Sequence, residues 1–132
     1  MAFDNLVLGK IAATLAQVLA DAFVGAPYAL GENQYALPFH AASALTERSG
    51  GRGELIIDLD PNKPFVSYAL GKFTKTVDNT PFFNALRRLQ GTRITGVAKE
   101  QGERIITISF ANAARALGDL VTGYQLILEL FP

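Results

Sequence analysis

The 132-residue chain contains no cysteine. That absence excludes a disulfide scaffold, a thiolate zinc site and a cysteine nucleophile, and it suits a reducing compartment. Histidine occurs once, at His40, so a multi-histidine metal site cannot be built from this chain alone. No apolar run approaches the ~18 residues needed to span a bilayer. Residues 11–20 come closest, but they are alanine-rich and lie between Lys10 and Asp21. No basic stretch leads into an apolar one at the N-terminus, which argues against a signal peptide. A cytoplasmic protein without a membrane partner is the expectation. What is present is apolar: 49% of residues are hydrophobic and 18% charged, the composition of a core-rich domain. A single domain of this length buries roughly two-thirds of its unfolded surface and needs no staples.

Net charge is zero but unevenly spread. Residues 63–104 hold eight basic and three acidic residues, a net +5, and the rest of the chain balances it. A basic middle hints at a polyanion-binding face, against the plainer reading of solvated loops and helix ends. Arg87, Arg88 and Arg93 are its candidate phosphate contacts.

Apolar spacing at Leu8, Ile11, Leu15, Val18, Leu19 and Ala22 predicts a helix over residues 4–23, with Asp4 as N-cap and Gly25 and Pro27 ending it. Residues 27–39 read as a hairpin turning at Gly31-Glu32-Asn33. Residues 40–53 read as loop, 54–60 and 65–70 as strands, and 71–79 as loop. Thr80-Pro81 opens a second helix that closes at Gly91. Strands follow over 93–99, 103–110 and 123–131, around an ambiguous 111–122. Two helices among about seven strands that do not alternate as βαβ units predict an α+β class. The expected architecture is an antiparallel β-sandwich or partial barrel with two flanking helices.

Few residues suggest chemistry. Asp58 and Asp60 would lie ~7 Å apart on one strand face, a possible Mg²⁺ pair or simply a polar rim at an Asp-Pro turn. His40 and Ser43 lack the context of a nucleophile elbow. Gly50-Gly51-Arg52-Gly53 precedes a strand rather than opening a helix, the wrong setting for a phosphate cradle. Glu103-Arg104 follows a glycine turn opposite the basic segment. No catalytic residue, metal or cofactor is assigned.

The order of segments carries a resemblance. Met1-Ala2-Phe3-Asp4 leads into a helix. Thr80-Pro81-Phe82-Phe83-Asn84-Ala85-Leu86-Arg87-Arg88-Leu89 precedes Gly91-Thr92-Arg93-Ile94. Gly102-Glu103-Arg104-Ile105-Ile106, Leu117-Gly118-Asp119 and Leu126-Ile127-Leu128-Glu129-Leu130 follow. This pattern resembles the N-terminal domain of the NFACT family, the fibronectin-binding protein A-like proteins of bacterial ribosome quality control.

The resemblance implies a fold similar to the N-terminal domain of formamidopyrimidine-DNA glycosylases. It also implies a module that binds tRNA and the large ribosomal subunit. In that family tRNA-Ala is recruited to add alanine tails to stalled nascent chains, and an early Asp and an Asp-Arg pair serve tRNA engagement. Asp4 and Arg104 match those positions, and Glu103 stands where the family usually has Asp. Such a domain normally continues beyond the Leu-Glu-Leu segment, so residues 1–132 are expected to be most of one domain of a longer protein. Residues 40–53 do not follow the family pattern and take no role from it.

Two alternatives remain. Fibronectin binding at the cell surface gave the family its early name and makes fibronectin a candidate partner. Glycosylase-like chemistry would need an N-terminal proline amine and an adjacent glutamate. Here the start is Met1-Ala2-Phe3, so an enzyme is not expected.

Overall fold

The computed structural model describes residues 5–41, 51–70, 76, 80–112 and 123–130. Among these residues the chain forms helix α1 (Asn5–Val18), strands β1 (Phe23–Val24), β2 (Tyr28–Gly31), β3 (Gln34–His40), β4 (Arg52–Asp58) and β5 (Phe65–Ala69), helix α2 (Pro81–Leu86), and strands β6 (Thr92–Lys99), β7 (Ile105–Asn112) and β8 (Gly123–Glu129). The pairings within the sheet are antiparallel, in the order β5-β4-β3-β1-β6-β7-β8, with β2 beside β3. The expected α+β class with two helices is what forms, and its sheet is continuous and unclosed.

Helix α1 follows its apolar spacing. Leu8, Ala12, Leu15 and Val18 share one face, none more than 6% exposed, and the helix lies mainly against β6. The spacing carries the expected helix to residue 23, yet α1 stops at Val18. The Leu19 amide still donates to the Leu15 carbonyl, but the Ala22 amide donates to the Leu19 carbonyl, which tightens the chain into a turn. Asp21 adopts φ 56° there, a left-handed conformation that aspartate tolerates better than most residues. Leu19 and Ala22 stay fully buried through the turn, which is why helical spacing persists where the helix does not. Asp4, the expected N-cap, lies outside the described residues.

After the turn, β1 joins two meanders. Phe23 pairs with His40 on one side and Arg93 on the other. β1 and β2 share one edge of β3, where the Gly25 amide donates to the Pro38 carbonyl between them. β3 and β4 pair in unbroken register from Gln34↔Asp58 to His40↔Arg52. Tyr35, Leu37, Phe39, Leu55 and Ile57 point into the core. Phe39 stands opposite Gly53, where an added Cβ would lie 2.5 Å from the Phe39 Cζ, so only glycine fits beneath that ring. The stretch expected to be loop over residues 40–53 therefore begins and ends in strand.

Helix α2 is set by its sequence. Thr80 has extended geometry and its Oγ1 accepts from the Phe83 amide at 3.2 Å, with Pro81 at the first helical position. A 3-10 turn over Arg87–Leu89 follows. Phe83, Leu86 and Leu89 are buried, and the Phe82 and Phe83 rings pack on Tyr35 at 5.1 and 6.0 Å. Across the fold Leu8, Leu15, Leu86, Ile106, Ile108 and Leu128 are buried in the core, while Ile11, Phe82 and Leu126 pack against it half-covered.

Candidate functional site

Strand β6 organises the candidate residues by separating them. At its Lys99 end the chain turns through Glu100–Arg104 into β7. The Glu100 amide donates to the Ile105 carbonyl, the Glu103 amide donates to the Glu100 carbonyl, and Gly102 takes φ 76°. This turn exposes Glu103 and leaves Arg104 half-buried. The Leu130 amide donates to the Arg104 carbonyl at 2.7 Å, which ties the turn to the end of β8.

Two contacts fix the direction of α1 along β6. Gly9 faces Lys99, whose Cδ would lie 3.9 Å from an added Cβ. At the other end the Ile94 amide donates to the Ala22 carbonyl. The start of α1 therefore lies toward the Glu103-Arg104 turn. Asp4, one residue before the described helix, lies outside the described residues.

The other basic candidates sit elsewhere. Arg93 is six residues from Lys99 along β6, a distance of about 20 Å at ~3.3 Å per residue. Its Nε lies 4.0 Å from the Asp21 Oδ1, with both side chains well exposed, a geometry that contributes little to stability. Arg87 and Arg88 are exposed on the 3-10 turn just before β6. The Gly91 amide donates to the Val24 carbonyl, which holds this segment against β1. Arg87, Arg88 and Arg93 thus belong to the β1 end of β6, and Glu103 and Arg104 to the opposite end.

The β1 end also carries a groove of about 610 Å³, whose walls include Phe23, Pro38, His40, Arg52, Glu54 and Leu70. The sequence singles out His40 and Arg52 only as loop residues in other roles, and it does not single out Phe23, Pro38, Glu54 or Leu70 at all. The signal that finds them is cross-strand register, which places His40 directly opposite Arg52 and Pro38 opposite Glu54.

The remaining sequence candidates resolve into structural roles. The Asp58 Oδ1 accepts from the Asp60 amide at 2.9 Å, and its Oδ2 accepts from the Gln34 Nε2 at 3.0 Å. Asp58 is thus used in a turn and a cross-strand bond rather than in a metal pair with Asp60. Gly51 has φ 85° and its carbonyl accepts from the Ala41 amide, so it sets the strand entry rather than an anion cradle. Gly50 and Ser43 lie outside the described residues. Among the described residues no group of three or more His, Cys, Asp or Glu side chains could hold a metal ion, and no helix is long and apolar enough to cross a membrane.

No protein-family model matches the chain, and no curated protein is similar to it in sequence. Solved structures do match. The N-terminal domain of fibronectin-binding protein PavA from Streptococcus pneumoniae superposes with a TM-score of 0.78 at 22% identity, over 99% of this chain and 48% of that one. The N-terminal part of the fibronectin/fibrinogen-binding protein of Streptococcus suis superposes with a TM-score of 0.79 at 20% identity, over 98% of this chain and 46% of that one. The chain therefore has the fold found in part of the N-terminal regions of these two streptococcal proteins, and it spans about half the length of each solved structure.

Proposed function

We propose that this chain is a non-catalytic binding domain of the fibronectin-binding type, which docks an extended segment of a protein partner along its open sheet. The carrying observation is the likeness, over nearly the whole chain, to N-terminal domains of proteins named for binding fibronectin or fibrinogen. The geometry suits that use. Among the described residues β8 lies at one end of the sheet, and an edge strand offers a row of backbone donors and acceptors to an added strand. Its Ile127 is 57% exposed and supplies an apolar contact. Immobilised fibronectin should bind the chain saturably, and Ile127→Lys should weaken that binding at least severalfold with an unchanged melting temperature. Absence of saturable binding would contradict the reading.

A second reading is the tRNA- and large-subunit-binding role that the NFACT resemblance implies, with residues 1–132 as most of one domain of a longer cytoplasmic protein. The observation favouring it is the placement of Glu103 and Arg104 on a turn at the end of β6 toward which the start of α1 points. Arg104 would donate to a phosphate or base edge of tRNA, and Asp4 and Glu103 would orient it or accept from base amino groups. In this reading Arg104→Ala lowers tRNA affinity and reduces the slope of log K against log salt by about 0.7 to 0.9. Measuring tRNA-Ala, duplex DNA and fibronectin against one protein preparation separates the readings. The glycosylase-like alternative is tested by borohydride trapping on an abasic duplex, where no covalent adduct is expected.

A further inference from the structure

Strand β8 meets β7 in unbroken register from Ile105↔Glu129 to Ala111↔Gly123, and among the described residues no strand lies on its other side. In an antiparallel ladder the backbone groups of successive residues turn to alternate sides. The Leu130 amide donates to the Arg104 carbonyl, so the even-numbered residues of β8 bond toward β7. The N–H and C=O groups of Gln125, Ile127 and Glu129 therefore point out at the edge. The side chains of the same three residues are exposed, while Leu128 and Leu130 are buried and Tyr124 and Leu126 half-buried. This edge lacks the devices that discourage strand addition. Residues 123–129 contain no lysine, arginine or proline, and no bulge interrupts the pairing with β7.

We propose that a second copy of this chain occupies the edge, its β8 running antiparallel to the first about a two-fold axis at Ile127. This pairing uses the edge of the fibronectin reading but needs no fibronectin. Self-complementarity carries it. A two-fold contact sets one strand against its own reverse, so Ile127 faces the partner's Ile127, Gln125 faces the partner's Glu129, and Leu126 faces the partner's Leu128. Each odd-numbered pair exchanges two backbone hydrogen bonds, about six in all. On the outer face the Gln125 side-chain amide donates to the partner's Glu129 carboxylate on both sides of the axis, and the two Ile127 side chains cover each other. On the inner face Tyr124 and Leu126, half-covered within one chain, meet the partner's Leu130 and the partner's Leu128.

Neighbouring registers match less well. Centring on Leu126 sets Ile127 against the partner's Gln125, and centring on Leu128 sets it against the partner's Glu129. Centring on Glu129 opposes two carboxylates, a destabilising pair. The register at Ile127 alone among these sets apolar against apolar and donor against acceptor. It yields one sheet running through both copies, and the two-fold axis uses up both β8 edges. A segment of another protein and a second copy would then compete for the same backbone groups.

Sedimentation equilibrium of the 132-residue chain tests this. The mass should rise from the 14.2 kDa of one chain toward twice that between micromolar and millimolar concentration. Gln125→Glu opposes like charges at two places and should weaken the dimer roughly fivefold. Adding Glu129→Gln to it restores the match and should return the affinity to that of the unchanged chain. The chain has no cysteine, so single cysteines report the register. Hydrogen-bonded pairs bring Cα atoms to ~5.5 Å, within disulfide reach, and Ile127→Cys should give a linked dimer on mild oxidation. Gln125→Cys should not, because its two copies lie about 14 Å apart along the strands. A monomer at every concentration would overturn the proposal, as would a dimer indifferent to Gln125→Glu or a double variant no tighter than the single one. A monomer that still binds fibronectin would overturn this pairing and leave the first reading standing, whereas a dimer with this register that binds no fibronectin would do the reverse.

Discussion

The two ends of β6 are built in opposite ways. At the Lys99 end the candidate residues are neighbours in sequence: Glu103 and Arg104 occupy one turn, anchored by the Leu130 amide. At the other end Phe23, His40, Arg52 and Arg93 come from four strands and meet only through register. The first kind of site survives as a motif that can be read along the chain. The second exists only once the sheet has formed, and no short segment carries it. The lesson concerns β1: two residues, Phe23 and Val24, join the meanders and bring those four residues into one row.

The largest effects should come from the core beneath each end. Leu37 and Ile106 are both fully buried, Leu37 on β3 in the first meander and Ile106 on β7 in the second. Truncating either to alanine should cost about 2–5 kcal/mol in urea unfolding. Because buried residues of both meanders and α1 form one cluster, each variant should unfold in a single transition followed equally by fluorescence and circular dichroism. Two separate transitions would mean that the two ends are energetically independent.

A smaller effect is expected at α2. Thr80→Ala removes the oxygen that accepts from the Phe83 amide and lies 3.3 Å from the Tyr35 hydroxyl. It should cost about 1 kcal/mol, and Thr80→Ser should recover most of it. Since α2 leads directly into Arg87 and Arg88, Thr80→Ala should also speed amide exchange in that basic segment without changing exchange in the Glu100–Arg104 turn. Equal acceleration at both would erase the distinction between the ends. The smallest change belongs to Asp21→Ala. Its ion pair with Arg93 is solvent-exposed, so stability should shift by no more than about 0.5 kcal/mol.

Much of the fold was legible where one local rule acts without competition. Thr80-Pro81 announced α2 because capping and proline geometry are decided within one turn. Ile106, Ile108 and Phe110 announced β7 by alternating with Thr107 and Ser109, and Asn33, with φ 60°, marked the hairpin turn before β3. The end of α1 was not legible. Leu19 and Ala22 keep helical spacing while buried in a turn, and hydrophobic periodicity reports burial rather than backbone conformation. β1 is too short to show any period. Gly51 and Gly53 look like loop residues in sequence, but the first meets a positive φ and the second clears space for Phe39. Both reasons are tertiary. Of the candidate site, Glu103 and Arg104 could be singled out from sequence, as could the exposed Arg87, Arg88 and Arg93. Their division between the two ends of β6 could not, because it depends on which way the strand runs past α1 and β1.

The central claim is that the chain docks a protein partner along its β8 edge rather than at the β1 end of β6. Amide NMR of the isotopically labelled chain, with fibronectin fragments titrated in, tests it most directly. The account predicts that fibronectin perturbs Gln125–Glu129 and leaves Phe23, His40, Arg52 and Arg93 unmoved. Perturbation of the second set alone, or of neither set, would contradict it.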